Sequence, residues 1–118
     1  MAGSVHAELL GEIINVVWTG EVNQELLEEG QEKILLLLSR CEKAKILHNT
    51  INMKEPCTSL ALKMRKFDMS IKDRVEGIAT VVSSPKTAVM AKISFAFSKK
   101  HQVYRNNLDE AMGWLHNC

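Results

Sequence analysis

The sequence has no long hydrophobic run and few residues that interrupt a chain. Its longest aliphatic stretch, Ile34 to Leu38, is five residues long, whereas a helix that spans a membrane needs about 20. Only two prolines and six glycines occur in 118 residues, and no Pro/Gly/Ser-rich linker divides them. We therefore expect a single domain, residues 1–118, without a transmembrane segment.

Cysteine is also scarce. The three cysteines, Cys41, Cys57 and Cys118, are odd in number and far apart. This pattern favours free thiols in a reducing compartment over a disulfide framework. The first residues show no basic patch followed by an apolar run, so no signal peptide is expected. Together these features predict a cytoplasmic protein.

The motifs of common ligand sites are missing. The turn at residues 19–23 has one glycine and a glutamate where a phosphate-binding loop needs several glycines. The four histidines have no partner at helical metal spacing and no Cys-x-x-Cys occurs, so we expect no metal and no cofactor. The basic residues lack interleaved aromatics and the isoelectric point is only about 7.7, which argues against nucleic acid as a partner.

Charge is divided unevenly along the chain. Residues 1–42 hold eight acidic and two basic residues, whereas residues 43–118 hold thirteen basic and six acidic ones. One interpretation is that these charges solvate separate helices. The other is an acidic helix and a basic face that steer partners or pair subunits.

Alternating strand-like and helical periodicity predicts the order ββαβαβαβα. Because β-α-β crossovers are right-handed, strands two to five can lie parallel while the first pairs antiparallel at an edge. The predicted fold class is α/β, with a mixed, mostly parallel five-stranded sheet and four helices. The predicted strands begin at Val5, Ile13, Ala44, Val75 and Gln102, and the third extends to Ile51.

Polar residues at predicted helix starts suggest caps. Asn23 can cap the first helix, and Asn107, with Glu110 three residues on, can cap the last. Ser84 before Pro85 is typical of the start of the third helix. The apolar stripe predicted for that helix consists of Val89, Ile93 and Phe97.

The third strand is half polar, with His48, Asn49 and Thr50 among aliphatic residues. A strand covered on both faces usually reads as a continuous apolar run. We therefore expect one sheet face to be less covered, with His48 on that open face.

The order of elements, together with the ending Asn107-Leu-Asp-Glu-Ala-Met-Gly-Trp-Leu115, resembles the SpoIIAA-like branch of the STAS superfamily, whose relatives are bacterial anti-sigma factor antagonists. The resemblance covers nearly the whole chain. It implies a small, often dimeric, non-enzymatic domain, for which hydrophobic ligand or lipid binding has been proposed in some members.

In the antagonists, the loop after the third strand carries Asp-Ser-Ser-Gly-Leu, and a partner kinase phosphorylates the second serine. Here the corresponding stretch is Pro56-Cys-Thr-Ser-Leu60, so the resemblance places Thr58 at the phosphoacceptor position with Ser59 beside it. Proline replaces the aspartate and serine the glycine, and this branch generally lacks the motif. The alternative is that Thr58 or Ser59 simply caps the helix.

Three functions follow from these patterns. The main hypothesis is a regulatory or protein-interaction module without catalytic residues, which forms a homodimer through the less covered face or an edge strand. The second is a carrier of a small hydrophobic or lipid ligand. The third is an enzyme that uses Cys57 and His48. The candidate pocket or interface residues are His48, Cys57, Met64, Phe67 and Trp114.

Overall fold

The chain forms one five-stranded sheet in the order β1-β2-β3-β4-β5, and the computed structural model describes residues 2–94 and 99–118. The strands are Ser4–Leu10 (β1), Ile13–Thr19 (β2), Ala44–Asn49 (β3), Val75–Val82 (β4) and His101–Arg105 (β5). The helices are Gln24–Leu38 (α1), Thr58–Ser70 (α2), Pro85–Ser94 (α3) and Leu108–His116 (α4), with a 3-10 turn at Lys72–Arg74. β1 pairs antiparallel with β2 and the other pairs are parallel. The predicted α/β class and strand arrangement are confirmed.

Local sequence signals set several boundaries. Gly11, with φ of 64°, forms the tight turn between β1 and β2, a backbone region that glycine enters without steric cost. Asn23 caps α1 by accepting a hydrogen bond from the Leu26 N–H at 2.8 Å. Asn107 caps α4 by accepting from the Glu110 N–H at 3.0 Å and donates to the Glu110 carboxylate at 3.0 Å. Both predicted caps are confirmed.

The helices divide the core into two layers. On one face of the sheet, α1 and α2 pack against the centre of β2, β3 and β4, and Ala88 of α3 packs on β4 and β5. On the other face, Ala111 and Leu115 of α4 cover Leu47, Ala79 and Val81. The site described below therefore lies on the three-helix face.

Gly30 allows α1 to approach the sheet closely. A Cβ at this position would lie 2.3 Å from Cη2 of the Trp18 indole. A glycine inside a helix costs about 1 kcal/mol relative to alanine. Here it provides the space in which Trp18, only 1% exposed, is buried beneath α1.

The predicted position of His48 on an open face is wrong. His48 lies on the three-helix face and is 5% exposed. Hydrogen bonds to both ring nitrogens allow the polar ring to be buried. A polar residue in this strand therefore does not indicate an exposed sheet face. β3 also ends at Asn49 rather than Ile51, because the chain turns there: the Met53 N–H donates to the Thr50 carbonyl at 3.2 Å.

The less covered part of the sheet is instead at β1, on the side that α4 leaves open. The residues of β1 that point to that side are exposed: Ser4, His6, Glu8 and Leu10.

The prediction for the apolar stripe of α3 is wrong at Val89, whose side chain is 57% exposed. Ala88 is the buried residue, and it packs against Val82 and Val103. The small alanine side chain lets the helix approach these strands closely, and this turns Val89 outward. Phe97 and the side chain of Ile93 lie outside the part of the chain that the structure describes.

Candidate functional site

The start of α2 is held in place by the loop that precedes α1. Gly20 donates its N–H to the Asn52 carbonyl and accepts from the Lys54 N–H, both at 2.9 Å. Gly20 has φ of 70°, a conformation that would be strained for any residue with a side chain. The two loops at this end of the sheet are therefore joined by backbone hydrogen bonds just before α2 begins.

Cys57, Thr58 and Ser59 form the exposed entrance to α2. Cys57 is the N-cap but makes no side-chain capping hydrogen bond. Its Sγ lies 3.3 Å from the Ser59 hydroxyl, and this hydrogen bond is the main cause that lowers the pKa of the Cys57 thiol. Both candidate hydroxyls, on Thr58 and Ser59, are exposed in the first helical turn.

A buried polar chain connects the middle of α2 to the sheet. The Trp18 Nε1–H donates to His48 Nδ1 at 3.1 Å, and His48 Nε2 lies 3.1 Å from Asp68 Oδ1. The Asp68 side chain is 8% exposed and that of His48 is 6% exposed. One residue each from β2, β3 and α2 thus meets in the interior.

The chemistry of the indole fixes the state of His48. An indole N–H can only donate, so Nδ1 of His48 must be its acceptor and carries no hydrogen. The hydrogen is therefore on Nε2, which donates to the Asp68 carboxylate. In this arrangement His48 is held as the Nε2–H tautomer between Trp18 and Asp68.

The structure does not bring His48 and Cys57 together through a hydrogen bond. Both ring nitrogens of His48 are engaged, by Trp18 and Asp68, whereas the Cys57 thiol contacts Ser59. A base that activates a thiol needs a free ring nitrogen directed at the sulfur. The observed geometry gives Cys57 no such base at His48.

His101 on β5 lies in the same electrostatic environment. Burial lowers the pKa of His101, and the negative charge of Asp68 acts in the opposite direction. The positive charges of Lys72 and Lys100 add to the lowering. The three-helix face therefore contains a cluster of buried titratable groups behind α2.

Sequence reasoning found His48 but missed Asp68 and Trp18 as its partners. A signal for Asp68 exists, because it lies four residues after Met64 and three before Ile71. Both belong to the apolar stripe of this helix, so Asp68 falls within the helical spacing of the buried side. A carboxylate at such a position requires a buried hydrogen-bond partner. The identity of that partner depends on tertiary contacts between residues 18, 48 and 68.

The candidate pocket or interface residues are divided between the two faces of the sheet. Met64 and Phe67 pack against the core of the three-helix face, while Trp114 packs on the α4 face. A groove of about 530 Å³ opens instead beside the start of α1. Its lining residues are Ala2, Gly3, Glu21, Asn23, Glu25, Leu26 and Glu29. Three carboxylates line this groove, whereas pockets for apolar ligands are mostly lined by hydrophobic side chains.

Two further properties concern ions and membranes. Among residues 2–94 and 99–118, no three His, Cys, Asp or Glu side chains are grouped so that they could hold a metal ion. Within the same ranges, no helix has both the length and the apolar character needed to cross a membrane.

The fold is that of anti-sigma factor antagonists. The structure resembles an anti-sigma factor antagonist from Mycobacterium paratuberculosis, with a TM-score of 0.71 and 14% identity over 98% of this chain and 95% of that one. It also resembles the anti-sigma factor antagonist SpoIIAA in its unphosphorylated form, with a TM-score of 0.64 and 15% identity over 98% and 100% of the two chains.

An uncharacterised protein of the DUF3478 family from Shewanella loihica PV-4, with a SpoIIAA-like fold, is similar as well. It gives a TM-score of 0.72 and 11% identity over 96% of this chain and 93% of that one. No match was found among curated proteins. The SpoIIAA-like family model matches residues 13–116, and the chain belongs to the SpoIIAA-like family.

Proposed function

We propose that this protein is a non-enzymatic regulatory module that binds a partner protein through the start of α2. The observation that carries the proposal is the pair of exposed hydroxyls, Thr58 and Ser59, in the first turn of a helix without a side-chain cap. The fold of the anti-sigma factor antagonists supports a role through protein contacts rather than catalysis.

Phosphorylation of Thr58 or Ser59 is the switch in this proposal. The first intrahelical bond of α2 runs from the Ala61 N–H to the Cys57 carbonyl, so the N–H groups before Ala61 have no partner within the helix. A phosphate there would accept from these N–H groups and add negative charge at the positive end of the helix dipole. It would also change the charge of the exposed surface that a partner contacts.

The proposal includes two broader properties. The protein forms a homodimer and acts in the cytoplasm, where its three free cysteines stay reduced. Neither property depends on phosphorylation. We do not favour the hydrophobic carrier as a second function. The groove beside α1 is acidic, and Met64 and Phe67 lie on the opposite face of the sheet from Trp114.

Incubation of the purified protein with ATP and a lysate of its source cells, followed by mass spectrometry of its peptides, tests the switch. The expected result is one phosphate on the peptide that contains Thr58 and Ser59, and none in the double variant Thr58→Ala/Ser59→Ala. Ser83→Ala, at an exposed loop serine, is the matched control and should be labelled like the wild type. Labelling that persists in the double variant, or a wild type that stays unlabelled, would contradict the switch.

A further inference from the structure

Opposite charges lie side by side on the outer surface of α1 and α2. The exposed acidic residues of α1 are Glu25, Glu28, Glu29 and Glu32. On α2, Lys63 and Lys66 are exposed. Glu29 pairs with Lys33 of its own helix at 3.6 Å. Over the ranges that the structure describes, Lys63 and Lys66 form no ion pair with the acidic residues of α1. Gln24 lies between the two sets: it accepts from Lys63 and donates to the Glu28 carboxylate at 3.3 Å. These neutral hydrogen bonds leave the charges themselves unneutralised.

The two sets of charges also lie at the same height along the helices. Each helix follows a strand of the parallel part of the sheet, so both begin at the same end of the domain and run in the same direction. Lys63 Nζ donates to Gln24 Oε1 at 2.7 Å. The second turn of α2 is therefore level with the first turns of α1, where the glutamates begin.

The geometry points to a second copy of this chain as the occupant of the α1/α2 face. The two subunits are related by a two-fold axis that is parallel to the helices and lies over the middle of the α1/α2 face. This axis places α1 of each subunit over α2 of the other. Glu25 and Glu28 then face Lys63 and Lys66 of the opposite subunit, and the contact occurs twice because the interface is isologous. The inference rests on the self-association included in the proposed function, but not on the Thr58 switch.

Exposed leucines give the same face an apolar component. Leu36 of α1 is 57% exposed and Leu62 of α2 is 48% exposed. An interface needs some apolar surface, since charge pairs supply specificity and association rate more than affinity. The two leucines provide this on the helices that carry the complementary charges.

The other surfaces considered for self-association are less suited to it. Lys33 of α1 reaches over the edge strand β1, and its Nζ donates to the Val5 carbonyl at 3.2 Å. A charged side chain that covers an edge strand opposes its pairing with another strand. The open side of β1 exposes mainly polar groups, from Ser4, His6 and Glu8. Neither surface combines apolar area with opposite charges at matching positions.

The size of the face predicts a weak dimer. With 15 and 13 residues, the two helices are each about 20 Å long, and side by side they present about 400 Å². A standard interface buries about 800 Å² on each partner. We therefore expect association in the micromolar range that weakens when salt screens the charges.

Sedimentation equilibrium tests the arrangement through a charge swap. The wild type should dimerise in about 25 mM NaCl, and its dissociation constant should rise about tenfold in about 500 mM NaCl. The variants Glu25→Lys/Glu28→Lys and Lys63→Glu/Lys66→Glu should each be monomeric, because each carries like charges on both helices. An equimolar mixture of the two variants should dimerise again. Circular dichroism verifies that each variant is folded.

The control is His6→Lys/Glu8→Lys on the open side of β1, which should dimerise like the wild type. A wild type that is monomeric at every concentration and salt would overturn the inference. So would a dimer that the charge reversals leave intact, or one that the control disrupts. Phosphate labelling of Thr58 or Ser59 is measured on the subunit itself, so a monomer that is still labelled refutes this interface without refuting the switch.

Discussion

Helices α2 and α4 lie on opposite faces of the same sheet but are held by different forces. α4 has nine residues, and two of them, Ala111 and Leu115, are 0% exposed. α2 has thirteen residues, yet its only buried residue is Asp68. Leu60, Met64 and Phe67 are half-buried beside it. The longer helix is therefore held by half-buried apolar side chains and one buried polar contact, while the shorter one is held by fully buried apolar side chains.

The N-terminus of α4 is also better stabilised than that of α2. Asn107 caps α4 through its side chain, whereas Cys57 makes no capping hydrogen bond to α2. Few buried apolar contacts and an uncapped end are typical of segments that open at low free energy. In this protein they occur in the helix that begins with Thr58 and Ser59, where the proposed partner binds.

The largest expected effect comes from truncation of the apolar anchor of α4. Leu115→Ala leaves a cavity among fully buried side chains and should lower the free energy of unfolding by about 3 kcal/mol, measured by urea denaturation. The matched control is Leu62→Ala on α2, where the side chain is 48% exposed. It should change stability by less than about 0.5 kcal/mol. Equal losses in the two variants would contradict the contrast between the helices.

A smaller effect is expected when the polar contact of α2 is removed. Asp68→Ala leaves the Nε2–H of His48 buried and unpaired, which should cost about 1–3 kcal/mol. Asp68→Asn keeps a carbonyl oxygen as acceptor and should lose less. Hydrogen exchange should become faster in α2 while the amides of α4 stay protected.

The matched control for this change is Asp73→Ala, at an exposed aspartate in the 3-10 turn. It should leave both the stability and the exchange rates close to those of the wild type. If Asp68→Ala accelerates exchange equally in α2 and α4, the contact stabilises the whole domain, and α2 is not a separately held element.

The same contrast explains which features could be predicted from the sequence. The cap of α4 depends on Asn107 and Glu110, three residues apart, so local reasoning found it. The succession of strands and helices follows from hydrophobic periodicity, and the β-α-β connections imply that strands two to five lie parallel. The partners of His48 are 30 and 20 residues away, and no local rule brings such residues together. Periodicity alone places His48 on an open face, because it cannot pair a polar strand residue with its buried partner.

Acidification should lower the free energy of unfolding through His101 on the three-helix face. Burial lowers the pKa of His101 below its ordinary value of 6.5, so in the native state the ring stays neutral where the unfolded chain binds a proton. The unfolded state therefore binds more protons as the pH falls below about 6.5, and the free energy of unfolding decreases. For one group the slope cannot exceed about 1.4 kcal/mol per pH unit.

Urea denaturation at about pH 7.5, 6.5 and 5.5 measures this slope. His101→Gln removes the titrating ring and should flatten the dependence relative to the wild type. His6→Gln is the control, since the His6 side chain is 70% exposed, and it should keep the slope of the wild type. If His101→Gln and the wild type lose stability in parallel, another group is responsible.

The smallest expected effects are at the two helix starts, where the substitutions should act with opposite sign. Asn107→Ala removes an existing cap and should lower stability by about 1 kcal/mol, whereas Cys57→Asp adds one to α2 and should raise it by about 0.5 kcal/mol.

The new carboxylate would accept from the N–H groups at the start of α2, the same groups that a phosphate on Thr58 would use. Cys57→Asp should therefore stabilise α2 in urea denaturation and reduce the additional stability that phosphorylation confers. A stabilising effect of phosphate that is equal in Cys57→Asp and the wild type would mean that the phosphate does not bind the helix terminus.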